Sequence, residues 1–168
     1  MENDKEQVQR LFDDVSESTG MPRVDLSDDN SAVLPFGEGM LLHVHYRAEI
    51  PEVDFTVPIG GVPKRKKAWV YERLLSANFY WVGTHGATLS YQDDLEEVII
   101  QFREDIATLT AQRLQRVMEG FLSVAIEWKG KLAKLIEGAD EEDEMDGEDA
   151  DIGFADGQGY GQTMLFEV

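Results

Sequence analysis

One long amphipathic stripe constrains the fold of this chain more than any other feature. Within a helix expected from about residue 108 to residue 136, apolar residues recur at spacings of three and four over about six turns. Thr108 or Thr110 is available as the N-cap. A stripe of this length needs a broad apolar surface to cover. Its members are Leu114, Val117, Met118, Phe121, Leu122, Ala125, Trp128, Leu132 and Leu135.

A sheet with one apolar face is the surface that the rest of the sequence predicts. In the segment 40–48, Leu42, Val44 and Tyr46 alternate with polar residues, which is typical of a strand with one covered face. Turn residues separate it from four other segments of similar character. The five candidate strands are residues 32–36, 40–48, 53–57, 87–91 and 98–102.

Two further helices complete the expected order. Residues 3–18 carry an apolar stripe, and Gly20 and Pro22 end it. A second helix is expected over residues 64–78, after Pro63. The order is therefore α-β-β-β-α-β-β-α. We expect an α+β fold with helices packed on a largely antiparallel five-stranded sheet.

The charge of the chain excludes several classes of partner. With 34 acidic and 15 basic residues the net charge is −19, which disfavours nucleic acid and anionic membranes. There is no cysteine, which excludes disulfides and thiolate metal sites. Residues 1–6 lack the features of a signal peptide, and no stretch has the length of a membrane-spanning helix. We expect a cytoplasmic, soluble protein.

The acidic residues are unevenly distributed. Residues 137–168 hold 12 acidic residues and no basic one, whereas residues 1–136 have a net charge of −7. We expect a folded domain over residues 1–136 and a flexible acidic tail over residues 137–168. The last five residues, 164–168, are apolar again. This segment could fill a binding groove as a displaceable placeholder, or the whole tail could simply add solubility.

No arrangement of residues predicts catalysis. His43, His45 and His85 could ligate a metal only if the fold brought them together, and no carboxylate has diagnostic spacing. The acidic tail fails the pattern of a calcium-binding EF-hand loop. No nucleophile, base and orienting group can be assembled. We expect neither enzymatic activity, nor a metal, nor a cofactor.

Three short motifs carry a resemblance to a known family. They are Leu74-Leu75-x-Ala77-Asn78, Gly86-Ala87-x-Leu89, and the end of the last helix from Phe121 to Trp128. Over about residues 3–134 the chain resembles type III secretion chaperones of the CesT/SycE kind, also called Tir chaperone-like. The resemblance implies a homodimer that binds an extended segment of a secreted effector without using ATP. Such a chaperone keeps the effector soluble and competent for export.

The resemblance also implies two surfaces. The dimer contact is expected at Trp69, Val70, Arg73, Leu89 and Ile99. The partner-binding groove is expected at Val8, Leu11, Phe12, Leu42 and Val44. Each of these residues could equally belong to the core. An alternative function is a chaperone-like adaptor or regulator that binds a signalling protein rather than an export substrate.

Overall fold

The element order of the structure is the expected one. A computed structural model describes residues 4–37 and 39–148, with side chains as far as residue 138. Short 3-10 turns precede α2 (Lys64–Lys66), follow it (Phe79–Trp81) and precede α3 (Ile106–Thr108). The main elements are α1 (Asp4–Thr19), β1 (Ser31–Phe36), β2 (Met40–Arg47), β3 (Glu52–Gly61), α2 (Lys67–Asn78), β4 (Thr88–Gln92), β5 (Glu97–Asp105) and α3 (Ala111–Glu148).

The five strands form one antiparallel sheet. Their spatial order is β1-β2-β3-β5-β4, so β1 and β4 lie at the edges. In β2, Met40, Leu42, Val44 and Tyr46 are buried, while the residues between them face the open side. This confirms the predicted alternation and the α+β class.

Helix α3 covers the apolar face of the sheet. It lies against β3 and β5 and packs beside α1, while α2 packs on β4 and α3. The ring of Phe121 sits 6.3 Å, between centroids, from Phe55 on β3 and from Phe102 on β5. Thr110 is the N-cap, because its hydroxyl accepts a hydrogen bond from the Arg113 amide at 3.2 Å.

Strand β3 is longer than the sequence predicts. The proline and glycines after residue 57 were expected to end it, but the strand continues to Gly61 through a register shift between Pro58 and Gly60. Gly60 has a φ of 139°, a conformation that L side chains rarely adopt. The sequence therefore marks a bulge within the strand rather than its end.

Helix α3 also continues further than expected, to Glu148 instead of residue 136. Glutamate, alanine and methionine in this stretch favour helix, which offsets part of the repulsion between its charges. The first part of the predicted flexible tail is therefore helical. Residues 149–168, the rest of that tail, lie outside the described residues.

A side-chain amide joins α2 to the edge strand β4. Asn78 Nδ2 donates to the carbonyl oxygen of Leu89, and the Leu89 amide donates to Asn78 Oδ1, both at 2.9 Å. Asn78 thus completes the backbone pairing of Leu89 as a neighbouring strand would. Close by, a Cβ added at Gly83 would lie 3.1 Å from the carbonyl oxygen of Ala77. These contacts give a structural role to Ala77 and Asn78 in the first motif and to Leu89 in the second.

Replacing Asn78 by alanine tests this link. The variant leaves the partly buried amide and carbonyl of Leu89 without their partner, so we expect the free energy of unfolding to fall by about 1–3 kcal/mol. Urea denaturation measures it. Ser76→Ala is the matched control, because its exposed hydroxyl bonds only to the Glu72 carbonyl within its own helix. Equal stability losses in the two variants would contradict the role of Asn78.

Candidate functional site

The main apolar groove of the surface lies beside the edge strand β1. It has a volume of about 570 Å³. Three parts of the chain that are distant in sequence form its walls: the end of α1 with the loop after it, the strands β1 and β2, and the first half of α3. The apolar side chains that line it include Val15, Met21, Ala32, Leu34, Phe36, Leu42, Met118 and Leu122.

A glutamine fixes one wall of this groove. The side chain of Gln9 on α1 donates to the carbonyl oxygen of Val24 at 2.7 Å and accepts from the amide of Leu26 at 2.9 Å. Val24 is buried, so the loop is attached to the helix by both packing and hydrogen bonds. The loop that carries Met21 and Arg23 is therefore held in place before β1 begins.

The rim of the groove is polar and mainly acidic. On one side, Arg23 Nε lies 3.2 Å from Asp13 Oδ1 and 2.8 Å from Asp25 Oδ1. On the other, Gln115 donates to the Glu119 carboxylate at 2.9 Å. These groups are exposed and surround an apolar floor. The groove can therefore hold apolar side chains at its centre and meet neutral or basic groups at its rim.

The backbone of β1 adds a second means of recognition. In the described part of the chain β1 pairs as a strand only with β2. On its other edge the Ser31 amide and carbonyl are bonded to Ser27, and Pro35 has no N–H. The outward groups left open are therefore the amide and carbonyl of Val33 and the carbonyl of Pro35. An edge strand has backbone donors and acceptors that a further strand can use. An extended peptide could thus pair with β1 while its alternate side chains enter the groove.

The predicted partner-binding residues lie mostly beneath this groove rather than in it. Val8, Phe12 and Val44 are fully buried in the core, and Leu11 is half-buried. Among the five, only Leu42 lines the groove. Their burial favours the alternative reading as core residues. The apolar stripe on α1 identifies the face of the helix that packs into the core. The groove is formed instead by the C-terminal end of α1 and the loop that follows it.

The predicted dimer contact is divided between core and surface. Val70, Leu89 and Ile99 are buried within the chain itself, whereas Trp69 and Arg73 are half-buried on α2. The guanidinium carbon of Arg73 lies 3.5 Å from the centre of the Trp69 ring. Only these two of the five predicted residues therefore offer accessible side chains.

At and beyond the C-terminal end of α2 is an exposed apolar patch that the sequence reasoning missed. It consists of Leu75, Phe79, Tyr80, Trp81 and Val82, each more than half exposed. Tyr80 and Trp81 have φ values of 52° and 55°, a left-handed conformation that costs such residues of order 1 kcal/mol or more. The available signal was the run of four large apolar residues after Asn78, which fits neither helix nor strand periodicity.

The turn that presents this patch is held rigidly from behind. Trp128 on α3 donates from its indole nitrogen to the Gly83 carbonyl at 3.2 Å. The Trp81 carbonyl accepts from the amides of Thr84 and Gly86, and Thr84 is fully buried. The exposed aromatic side chains thus sit on an anchored backbone.

A lysine and two tyrosines join α2 to β4 near the patch. Lys67 Nζ donates to the Tyr91 hydroxyl at 2.6 Å, which raises the pKa of Lys67. Tyr71 lies against Tyr91 with ring centroids 5.1 Å apart. Burial is the main cause that raises the pKa of Tyr71 to about 12. The lysine is therefore charged, and the Tyr71 phenol neutral, at physiological pH.

The three histidines do not gather. His43 and His45 lie on β2 with their side chains on the open face of the sheet, and His85 is in the turn before β4. Among the residues that the structure describes, no group of three or more metal-ligating side chains is placed to hold an ion. None of the described helices could span a membrane.

Comparisons with known proteins agree with the fold. The model of the Tir chaperone protein (CesT) family matches residues 10–129. A chain in the structure of the HopA1–SchA chaperone–effector complex has a TM-score of 0.65 at 15% identity, covering 77% of this chain and 98% of that one. A chain of the ExsC–ExsE complex has a TM-score of 0.62 at 18% identity, covering 79% and 95%. Identities this low show a shared fold.

A third similar structure is the ExoU–SpcU complex from the type III secretion system of Pseudomonas aeruginosa. Its TM-score is 0.56 at 21% identity, and the match covers 78% of this chain and 98% of that one. No curated protein sequence matches the chain significantly. The likeness is therefore carried by the family pattern and the fold rather than by close sequence identity.

Removing the Gln9 amide tests how the groove wall is held. In Gln9→Ala the carbonyl of Val24 and the amide of Leu26 lose their partner, so we expect a loss of about 1–3 kcal/mol in the free energy of unfolding. Amide hydrogen exchange should accelerate at Leu26 in particular. Gln7→Ala, on the same helix, is the control. Unchanged exchange at Leu26 would contradict this role.

Proposed function

The chain belongs to the Tir chaperone protein (CesT) family, and we propose that it is a type III secretion chaperone that holds an extended segment of an effector in the groove beside β1. The location is supported by the combination of an apolar groove with an edge strand along it, on which Val33 offers an open amide and carbonyl. No comparison favours the alternative of an adaptor that binds a signalling protein.

Binding would need no chemical step. Apolar side chains of the client leave water at about 25 cal/mol per Å² buried, and backbone hydrogen bonds to β1 fix the segment as a strand. A segment held in this way cannot fold or aggregate. The proposed role is therefore to keep the client soluble and export-competent, without catalysis, ATP or a cofactor. We place this step in the cytoplasm, before export.

The charge of the chain contributes to the choice of client segment. Asp25 and Glu119 line the groove, while Arg23, which lines it too, is already paired with Asp25 and with Asp13. Residues 1–136 have a net charge of −7, which is of the same sign. Such a field accelerates encounter with basic segments and disfavours acidic ones. The preferred segment has alternating apolar side chains and neutral or basic flanks.

The exposed apolar patch is the proposed subunit contact of a homodimer. It lies at and beyond the C-terminal end of α2, the helix that carries Trp69 and Arg73, and solvent-exposed apolar clusters of this kind mark interaction surfaces. The anchored turn behind the patch fixes the positions of its aromatic rings before binding. Less conformational entropy is therefore lost on association. Val70, Leu89 and Ile99 would support this contact from within the core.

A photo-cross-linking amino acid at position 34 tests the groove directly. Leu34 pairs with Leu42 on the groove side of the sheet. In cells of the native host we expect covalent capture of a secreted protein, with the cross-links mapped by mass spectrometry to one contiguous segment. The matched control carries the same amino acid at position 45, since His45 is exposed on the open face.

Capture at position 34 and not at position 45 is the result that the groove predicts. Equal capture at the two positions, or capture of many unrelated proteins, would contradict it. Replacing Leu34 by aspartate should independently reduce client binding by tenfold or more, because it places a charge on the apolar floor.

The subunit contact is tested by a double substitution in the apolar patch. Phe79 and Val82 are 71% and 79% exposed, so Phe79→Ser/Val82→Ser leaves the core intact. We expect light scattering at micromolar concentration to change from dimer to monomer. Ile126→Ser is the control, because Ile126 is an exposed apolar residue on another surface. A wild-type chain that is strictly monomeric in the same measurement would contradict the dimer proposal.

A further inference from the structure

Helix α3 carries the features of a helix end ten residues before it actually ends. Lys66 is buried, and its ammonium group donates to the carbonyl oxygen of Ile136 at 2.7 Å. A cation on a late carbonyl, followed by a glycine, is the usual way a helix terminates. The glycine is Gly138, where an added Cβ would lie 3.6 Å from Trp69 Cη2. Up to this point α3 is attached to the folded domain.

Beyond Gly138 the helix is poorly supported by its own sequence. Residues 137–148 contain eight acidic residues and no basic one. Like charges three and four residues apart repel, and negative charge is unfavourable at a helix C-terminus. Glycine within a helix is unfavourable as well. The acidic extension, residues 139–148, can therefore unwind to Gly138 while the domain stays folded.

Whether the acidic extension is helical or unwound determines whether residues 164–168 can reach the groove. Leu122 and Met118 line the groove, and the helical distance from them to Glu148 is about 40–45 Å. Fifteen residues, 149–163, connect Glu148 to the apolar C-terminal segment 164–168. A random-coil chain of fifteen residues has a root-mean-square span of about 21 Å, roughly half of what is needed.

Unwinding the acidic extension removes this obstacle. The tether then begins at Gly138, only about 24–30 Å along the helix from the groove. It contains 25 residues, and its root-mean-square span of about 28 Å matches that distance. Effective concentration is highest when span and distance match, so it rises by an order of magnitude or more.

The C-terminal segment has the apolar side chains that the groove accepts. Met164, Leu165, Phe166 and Val168 are apolar, and a strand would direct Met164, Phe166 and Val168 to one face. Five residues in strand conformation span about 17 Å, comparable to the six-residue strand β1. The segment could pair with the open backbone groups of Val33 in β1 in the way proposed for a client. Glu167 and the acidic residues before the segment make it a weaker occupant than a client with neutral or basic flanks, as a displaceable placeholder must be.

We infer that residues 164–168 occupy the groove of their own chain as a displaceable placeholder, and that the acidic extension of α3 controls their access. While the extension is helical the segment is held away from the groove, and when it unwinds the segment covers the apolar floor. A client then competes with an intramolecular occupant. This inference rests on the proposed function of the groove.

The 168-residue chain allows a direct test, because it contains no cysteine. Gln162→Cys introduces a single thiol that carries a spin label close to the segment. Six methionines are present, and the methyl groups of Met21 and Met118 line the groove. With methyl-labelled methionine, paramagnetic broadening of these two signals measures the occupancy of the groove by the tail.

Two variants separate the helix from the segment. Leu165→Ser/Phe166→Ser should abolish the broadening, because it removes the apolar groups that bind. Gly138→Ala should reduce it severalfold, because alanine favours the helix and its Cβ fits beside Trp69. The matched control is Gly130→Ala, which strengthens α3 within the attached part and has open space around its Cβ. It should leave the broadening unchanged.

Several results would overturn the inference. Broadening that is absent in the wild type, or equal in the Gly138→Ala and wild-type proteins, contradicts it. Broadening seen only when labelled and spin-labelled chains are mixed assigns the segment to a second copy. If client cross-links form at position 34 without broadening, only the placeholder fails. If broadening occurs and no client cross-links form, the proposed function fails instead.

Discussion

The constraint from which the architecture follows is a sheet with one apolar face and too little helix to cover it. Helix α3 lies on the central strands β3 and β5, where Phe121 meets Phe55 and Phe102. Helix α1 packs beside α3, and α2 takes the opposite side near β4. The apolar side of β1 is therefore only partly covered. The groove is this uncovered part of the apolar face beside β1. An extended peptide has the right shape to cover it.

Two side-chain amides hold the edges of this sheet in similar ways. Gln9 on α1 bonds to the backbone of Val24 and Leu26 before β1, and Asn78 on α2 bonds to the backbone of Leu89 on β4. Each satisfies one donor and one acceptor, as a strand would. One fixes the wall of the groove, and the other positions the helix beside the exposed apolar patch. Each proposed binding surface is thus held by one polar side chain in addition to packing against the core.

The sequence predicts the elements well because periodicity reports which face of an element is apolar. It predicts the sites less well, because apolar residues such as Val8 and Val44 follow the same pattern whether they face a core or a groove. Met21, Leu34 and Leu122 become neighbours only after folding. The end of α3 was also misjudged, since the helix expected to end at about residue 136 continues to Glu148.

The central claim is that a client lies as a strand along β1. Amide hydrogen exchange of the complex with a client segment measures this most directly, because added backbone pairing protects the amides at one sheet edge. The account predicts new protection at the outward-facing amide of Val33 in β1, with the amides of β4 unchanged. Protection at β4 or at the apolar patch, with β1 unaffected, would contradict it.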